Sequence, residues 1–233
     1  MTKPRGCEYR DDLIGTDVVE GCGKSRPAEG FISEVKNERR RARVADHLRI
    51  VLAGIGGGVG TTTIAALLFA ELAPSPALID HSGGDLGARL TGGDDASQID
   101  DSLALHDLGP DAGGELVDLL RATEIFGLVV IPTTSAGFAL AHRTLADIRD
   151  SYGSGGLRRA LVAAVGVFGN HRAARARETL HNEFGQRTLV VFPQDAALAA
   201  GGRVPLNRVS PETRAAQKTL AGYVRERMRA FSN

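Results

Sequence analysis

Residues 47–233 of this sequence predict an α/β domain, a mostly parallel, doubly wound sheet with helices on both faces. Three observations carry that prediction. Short apolar runs alternate with helical stretches along the whole segment. Most of those runs are apolar at every residue, as in strands covered on both faces. The glycines and acids cluster at the ends of the runs, where open parallel sheets present their ligand sites.

The first run, 48–54 (LRIVLAG), is a buried strand running into glycines. Residues 62–72 read as a helix that Pro74 stops. The next two strands are 76–80 (PALID) and 103–107 (LALHD), each ending on an acid. Residues 115–123 are helical, 127–132 (GLVVIP) a strand, 136–151 a helix, 161–168 a strand and 172–184 a helix. Residues 188–192 (TLVVF) form the last clear strand. The closing helix spans 211–231, with Ser210 as N-cap and Pro211 in its first turn. One sheet of about seven strands is expected from this alternation. Gly83–Gly93 and Gly153–Gly156 read as loops, and no internal repeat is visible.

Residues 1–46 are polar, without steady apolar period, and bury too little to offset the entropy of ordering. They read as a flexible tail, in which 33–46 (SEVKNERRRARVAD) suits a short basic helix. A contact with DNA or acidic lipid and a plain solvated linker are both open for it. Of the 233 residues 42% are hydrophobic, enough for a sizeable core, and the formal net charge is zero. That balance argues against a nucleic-acid binder by overall charge and leaves only a local patch. Cys7 and Cys22 form no ligand set and read as reduced tail thiols, a disulfide being the alternative. The N-terminal stretch lacks a secretory apolar region, and no apolar run reaches the roughly 18–20 residues of a membrane span. A cytoplasmic protein is expected. In the closing helix Leu220, Val224, Met228 and Phe231 make one apolar stripe. It suits packing on the sheet better than an interfacial lipid contact, because it is narrow and the chain has no tryptophan.

The most informative segment is 54–63, GIGGGVGTTT, which follows a strand and opens a helix. Consecutive glycines let backbone N–H groups turn inward as an anion nest, and the helix N-terminus behind them adds partial positive charge. A phosphate is the natural guest. Two nucleotide loops compete for the pattern. The dinucleotide fingerprint Gly-x-Gly-x-x-Gly fails from Gly54 and Gly56, because its third glycine falls on Val59, although Asp80 is suitably spaced for a ribose-binding acid. The P-loop spacing fits better, ending on Gly60-Thr61-Thr62, with Ile55 where the first glycine is usual.

The segment resembles the deviant P-loop of the ParA/MinD ATPases, Lys-Gly-Gly-x-Gly-Lys-Thr-Thr. Gly56 stands at the first lysine, Gly57, Gly58, Val59 and Gly60 follow, Thr61 stands at the second lysine, and Thr62 and Thr63 close the motif. PALID with SGGDLGARL is similar to the family's second strand and switch segment. LALHDLGP is similar to its Walker B strand, LVVIPTTSAG to the next strand and loop, and VVFPQDAALAAGG to its late Pro-x-Asp segment. The resemblance spans roughly residues 48–230 and implies a P-loop NTPase-like sheet. It implies ATP and Mg²⁺ as ligands, with Gly57, Gly58, Val59, Gly60, Thr61, Thr62 and Thr63 at the nucleotide. Thr62 and Asp107 would stand at the metal, and Asp107 and Asp80 in catalytic roles. Asp80 and Asp107 also have a plain reading as caps of loops at strand ends.

Both P-loop lysines are absent. The chain has four lysines, Lys3, Lys24, Lys36 and Lys218, and none between 37 and 217. Losing one partner of a desolvated charge pair costs on the order of 2–5 kcal/mol, about 30- to 5,000-fold in affinity. Only an arginine could stand in, and Arg89, Arg172 and Arg203 are loop-placed candidates. The sequence therefore implies a degenerate ParA/MinD-like protein, a binding or positioning scaffold with weak nucleotide binding and weak or absent hydrolysis. Two alternatives stay open. One is a working ATPase of that type in DNA partition, septum placement or the positioning of a secretion or conjugation apparatus. The other is a binder of a dinucleotide or other phosphorylated ligand. A protein partner is expected, a homodimer and DNA are left open, and a membrane is not expected.

Overall fold

The computed structural model describes residues 48–72, 75–83, 86–90, 99–166, 171–199 and 201–231. The stretch read as a tail, 1–46, lies outside the described residues, as do Cys7 and Cys22. Six strands form one sheet: β1 (Leu48–Gly54), β2 (Ser75–Asp80), β3 (Ile99–Asp107), β4 (Ile125–Pro132), β5 (Ala160–Val165) and β6 (Leu189–Phe192). Their order is β2-β3-β1-β4-β5-β6, and every pairing is parallel. The fold is thus the expected doubly wound α/β sheet, consistent with a P-loop NTPase-like architecture, with one strand fewer among the described residues than expected.

The apolar runs are continuous because the central strands bury both faces. Along β1, Ile50 and Leu52 enter one core while Val51 and Ala53 enter the other. β4 and β5 repeat this, Leu128, Val130, Leu161 and Ala163 against Val129, Ile131, Val162 and Ala164. That is the two-residue period of a strand read from both sides. The first core takes α1 (Thr61–Glu71), Leu86 of α2 (Leu86–Arg89), and α7 (Pro211–Phe231). The second takes residues of α3 (Gly113–Leu119), α4 (Ser135–Arg158) and α5 (His171–Phe184). A last short helix, α6 (Ala196–Ala199), follows β6.

Edge and break positions follow from single residues. Pro76, which has no N–H to donate, sits in the edge strand β2, and the β2–β3 register shifts between Pro76 and Ala77. α4 runs past the expected end at 151 to Arg158, but Gly153 breaks its helical geometry with φ of 62°. Thr134 caps α4, its hydroxyl accepting from the Gly137 N–H at 3.0 Å.

α7 closes the domain as expected. Leu220 and Ala221 are fully buried, Val224 nearly so, and Met228 packs against them. The Gln217 amide donates to the Leu67 carbonyl at 2.9 Å, and Arg225 donates to the Glu71 carbonyl at the end of α1. The Ser210 hydroxyl accepts from the Thr213 N–H at 3.1 Å, the N-cap expected for Ser210-Pro211. Leu220 and Val224 of the stripe are therefore part of the core, with Met228 packed against it, and among the described residues no helix is long and apolar enough to cross a membrane. Leu220→Ala should destabilise the domain by about 2–5 kcal/mol, and deletion of 211–233 should unfold it. Urea denaturation followed by circular dichroism checks both, and a truncated chain with the full-length midpoint would contradict this packing.

Candidate functional site

The order of the strands reverses at β1, which has β3 on one side and β4 on the other. Open parallel sheets bind ligands beyond the carboxyl ends of strands at such a switch point. There β1 passes into the glycine loop, and Gly54 is the tightest point. Its N–H donates to the Gly109 carbonyl at 2.8 Å, and its carbonyl accepts from the Ala112 N–H at 3.1 Å. A β-carbon on Gly54 would collide with Thr61 Oγ1 and would lie 3.1 Å from both the Gly109 carbonyl and Val59 Cγ2. The loop then arches away with φ of 73° at Gly58 and 86° at Gly60, and Gly60 leads into α1.

This arch walls a cavity of about 440 Å³. Gly56, Gly58, Val59, Gly60, Thr61, Thr62 and Thr63 line it on the loop side. The volume lies within the range of small-ligand sites. The opposite side comes from the ends of β5 and β6 and the residues just after them, chiefly Val165, Gly166, Phe192, Pro193, Asp195 and Leu198. Arg89 and the Gly109-Pro110 turn complete it. Of the residues expected at a nucleotide, all but Gly57 are on the wall; Gly57 is exposed on the arch. Thr61, at the place of the second lysine, is buried against Gly54 with 6% of its surface exposed.

The two acids fare differently. Asp107 is fully buried, and Leu52 is its neighbour in the sheet. Its Oδ1 accepts the Gly109 N–H at 2.9 Å, so it holds the turn that reaches the cavity without lining the cavity itself. Its Oδ2 is buried with no hydrogen-bond partner. A carboxylate oxygen left so is costly unless something meets it. The two residues expected at a metal are thus placed differently: Thr62 is on the wall, and the orphaned Asp107 oxygen is buried off it. Among the described residues there is no cluster of three or more metal-binding side chains.

Asp80 is exposed and away from the wall. Its carboxylate accepts from the Ser82 N–H at 2.9 Å, the Ser82 hydroxyl at 2.7 Å and the Leu86 N–H at 3.3 Å, as a loop cap does. β3 separates it from β1, whereas a dinucleotide-binding sheet sets β2 beside β1 so that its acid meets the ribose. Beside these acids His81 and His106 bond ring to ring at 2.9 Å. Burial first, then the charges of His81 and Arg49, pull His106 down to about 4.

Two wall residues carry signals that spacing alone does not show. Arg89 donates to Thr63 Oγ1 at 3.1 Å, whereas Arg172 and Arg203 are exposed and off the wall. Asp195 accepts from the Ala197 N–H at 2.9 Å and the Ser210 N–H at 2.8 Å, tying α6 to the start of α7. Burial pushes its carboxyl up. The bonds from Ser210, Thr213 and Ala197 outweigh that and hold it below the usual carboxylate range.

No protein-family model matches the chain, and no curated protein matches it.

Asp195 gives the site a pH dependence of definite sign. A carboxyl lowered in the folded state supplies stability that is whole above the ordinary aspartate range, about 3.9, and lost as pH falls through the lower folded value. Asp195→Ala should cost about 1 kcal/mol at neutral pH. The gap to the native chain should narrow on acidification below about pH 4. Urea midpoints of both proteins across that interval check it, and a gap that does not change with pH would contradict it.

Proposed function

We propose that the chain binds a nucleoside polyphosphate, ATP with Mg²⁺, in this cavity and works as a ParA/MinD-like scaffold whose hydrolysis is weak or lost. The observation that carries the reading is the wall itself: a glycine arch and the N-terminus of α1 face a ligand-sized cavity whose wall holds no lysine. Inward-turned amides and a helix N-terminus recognise phosphate without any side-chain charge. Phosphoryl transfer asks for more, because its catalysis is mostly charge stabilisation and positioning around the transferred group. With Thr61 where the second lysine of the resemblance stands, affinity survives better than turnover.

In this reading the glycine arch orients the phosphates and Gly54 keeps the arch open. Thr62 and Asp107 would hold Mg²⁺, which when bound neutralises phosphate charge. The apolar far wall, with Phe192 and Leu198, excludes water from the other end of the ligand. A bound nucleotide would fix the surface offered to a protein partner. Asp107 supports one second reading, a working ATPase of the same type, since a buried carboxylate with an unpartnered oxygen could also order an attacking water. The strand order speaks against the dinucleotide alternative.

Calorimetric titration with ATP and ADP, with and without Mg²⁺, tests the proposal. Saturable binding strengthened by Mg²⁺ and lost in Gly54→Ala is the expected result. ATP hydrolysis should be no faster than in Thr61→Ala. Gly56→Lys combined with Thr61→Lys should raise Mg-ATP affinity by about tenfold or more. Robust turnover abolished by Asp107→Ala would transfer the assignment to the working ATPase, and no saturable binding of either nucleotide would end both readings.

A further inference from the structure

Resting on the phosphate reading of the cavity, we infer that Arg89 of α2 is the phosphate-binding cation of this site, a guanidinium from a neighbouring segment in place of lysines from the loop. The charge inventory of the wall comes first. Among the described residues its charged side chains are Arg89 and Asp195. Asp195 is committed to the Ala197 and Ser210 N–H groups, so its charge is answered by its own surroundings. The remaining charge is positive and belongs to Arg89. Lys218 lies exposed on α7, off the wall, and the other lysines precede the described residues.

Position comes second. Arg89 Nη1 donates to Thr63 Oγ1 at 3.1 Å, which sets the guanidinium at the first turn of α1 beside the glycine arch. A guanidinium has five N–H donors, and this is the one side-chain hydrogen bond of Arg89 among the described residues. The remaining donors form the planar fork that matches two phosphate oxygens.

Anchorage comes third. Leu86, three residues before it, is buried in the core and roots α2. The Arg89 carbonyl accepts from the Val204 N–H at 2.9 Å, so the backbone that carries the fork is itself held. A loop lysine would reach the phosphates from within the β1–α1 unit. Arg89 reaches them from the segment between β2 and β3, so a bound polyphosphate bridges α2 and the arch. Binding should therefore tighten 86–90 and the adjoining 201–204 as well as the loop.

The experiment is calorimetric titration of the full chain with inorganic tripolyphosphate and with ATP, for the native protein, Arg89→Ala, Arg89→Lys, Arg89→Gln and Arg203→Ala. Hydrogen exchange at 86–90 and 201–204 is followed with and without tripolyphosphate. Arg89→Ala should weaken both ligands by about 10- to 100-fold, with Arg89→Lys between it and the native chain. Arg203→Ala should be unchanged, and tripolyphosphate should slow exchange in both segments of the native chain only. Arg89→Gln can still donate to Thr63 but has no charge. If it binds as the native protein does, the cationic role is overturned even where Arg89→Ala proves unstable. Native-like affinity in Arg89→Ala overturns the assignment while leaving the cavity a phosphate site. A native chain that binds neither ligand overturns the phosphate reading and this inference with it.

Discussion

Everything at the ligand end depends on how closely backbone passes backbone at Gly54. Its N–H meets the turn after β3, its carbonyl meets the Ala112 N–H ahead of α3, and the N–H of Ile55 donates to Val130 of β4 at 3.0 Å. Two neighbouring segments are thereby locked to Gly54, which has room for no side chain, and a third is locked to Ile55 beside it. The chain must then rise off the sheet before it can begin α1, and it does so through left-handed glycines at 58 and 60. The arch and the cavity below it are consequences of that crossing. Gly109 completes the arrangement, with φ of 81° and a β-carbon position only 2.5 Å from Ser82 Cβ. One glycine at the end of β1 and one in the turn after its neighbour β3 let the loops pack as a layer.

The opposite end of the sheet, at the amino ends of β4 and β5, is held by arginines. Arg159, 5% exposed, donates to the carbonyls of Leu120, Ala122 and Ile125 at 2.6–3.1 Å at the end of α3. Arg227 reaches the Leu157, Arg158, Ala160 and Arg187 carbonyls, and burial pulls it down to about 10. Arg225 takes the Glu71 carbonyl at the end of α1. Helix C-termini leave carbonyls without intrahelical partners and carry partial negative charge, so a forked cation serves several at once. Lysine, a single ammonium, cannot span such sets. The arginine excess therefore has a structural share.

The central strands were legible because burial on both faces leaves an unbroken apolar run, as in β1, β4 and β5. The first residues of β3 were not, since Asp100, Asp101 and Ser102 look like loop until pairing with β2 is known. α2 and α6 have four residues each, too few to show a helical period. The glycine loop was legible as the passage from a strand into a helix because its residues are contiguous. The far wall was not, because Val165 and Phe192 lie more than a hundred residues from Gly58 and meet it only through the sheet order. Asp107 could be read as an acid at a strand end, but its orphaned oxygen is a property of packing. Arg89, Arg172 and Arg203 were equal in sequence, and their burial and the Thr63 bond separate them.

A cation on α2 instead of in the loop, as proposed for Arg89, would change what kind of site this is. A lysine inside the arch is present whenever the arch is, so affinity follows from the loop alone. Thr61 instead fills the niche beside Gly54, where it stabilises the crossing and contributes no charge. With the charge on α2, as proposed, affinity would depend on where a short helix stands. That helix is rooted by Leu86, roofed by the Asp80 cap that accepts the Leu86 N–H, and tied through Val204 to the loop before α7. Each tie is a place where binding energy can be exchanged for a shift of position. Under that proposal the arrangement would suit recognition that must report on itself to a partner surface. It suits fast phosphoryl transfer poorly, since transfer needs its charges fixed before the ligand arrives. The Asp80 carboxylate lies outside the cavity yet accepts from the Leu86 N–H of α2, so under the Arg89 proposal it would be a positioning group, a role that the spacing of an acid at the end of a strand could not distinguish from catalysis.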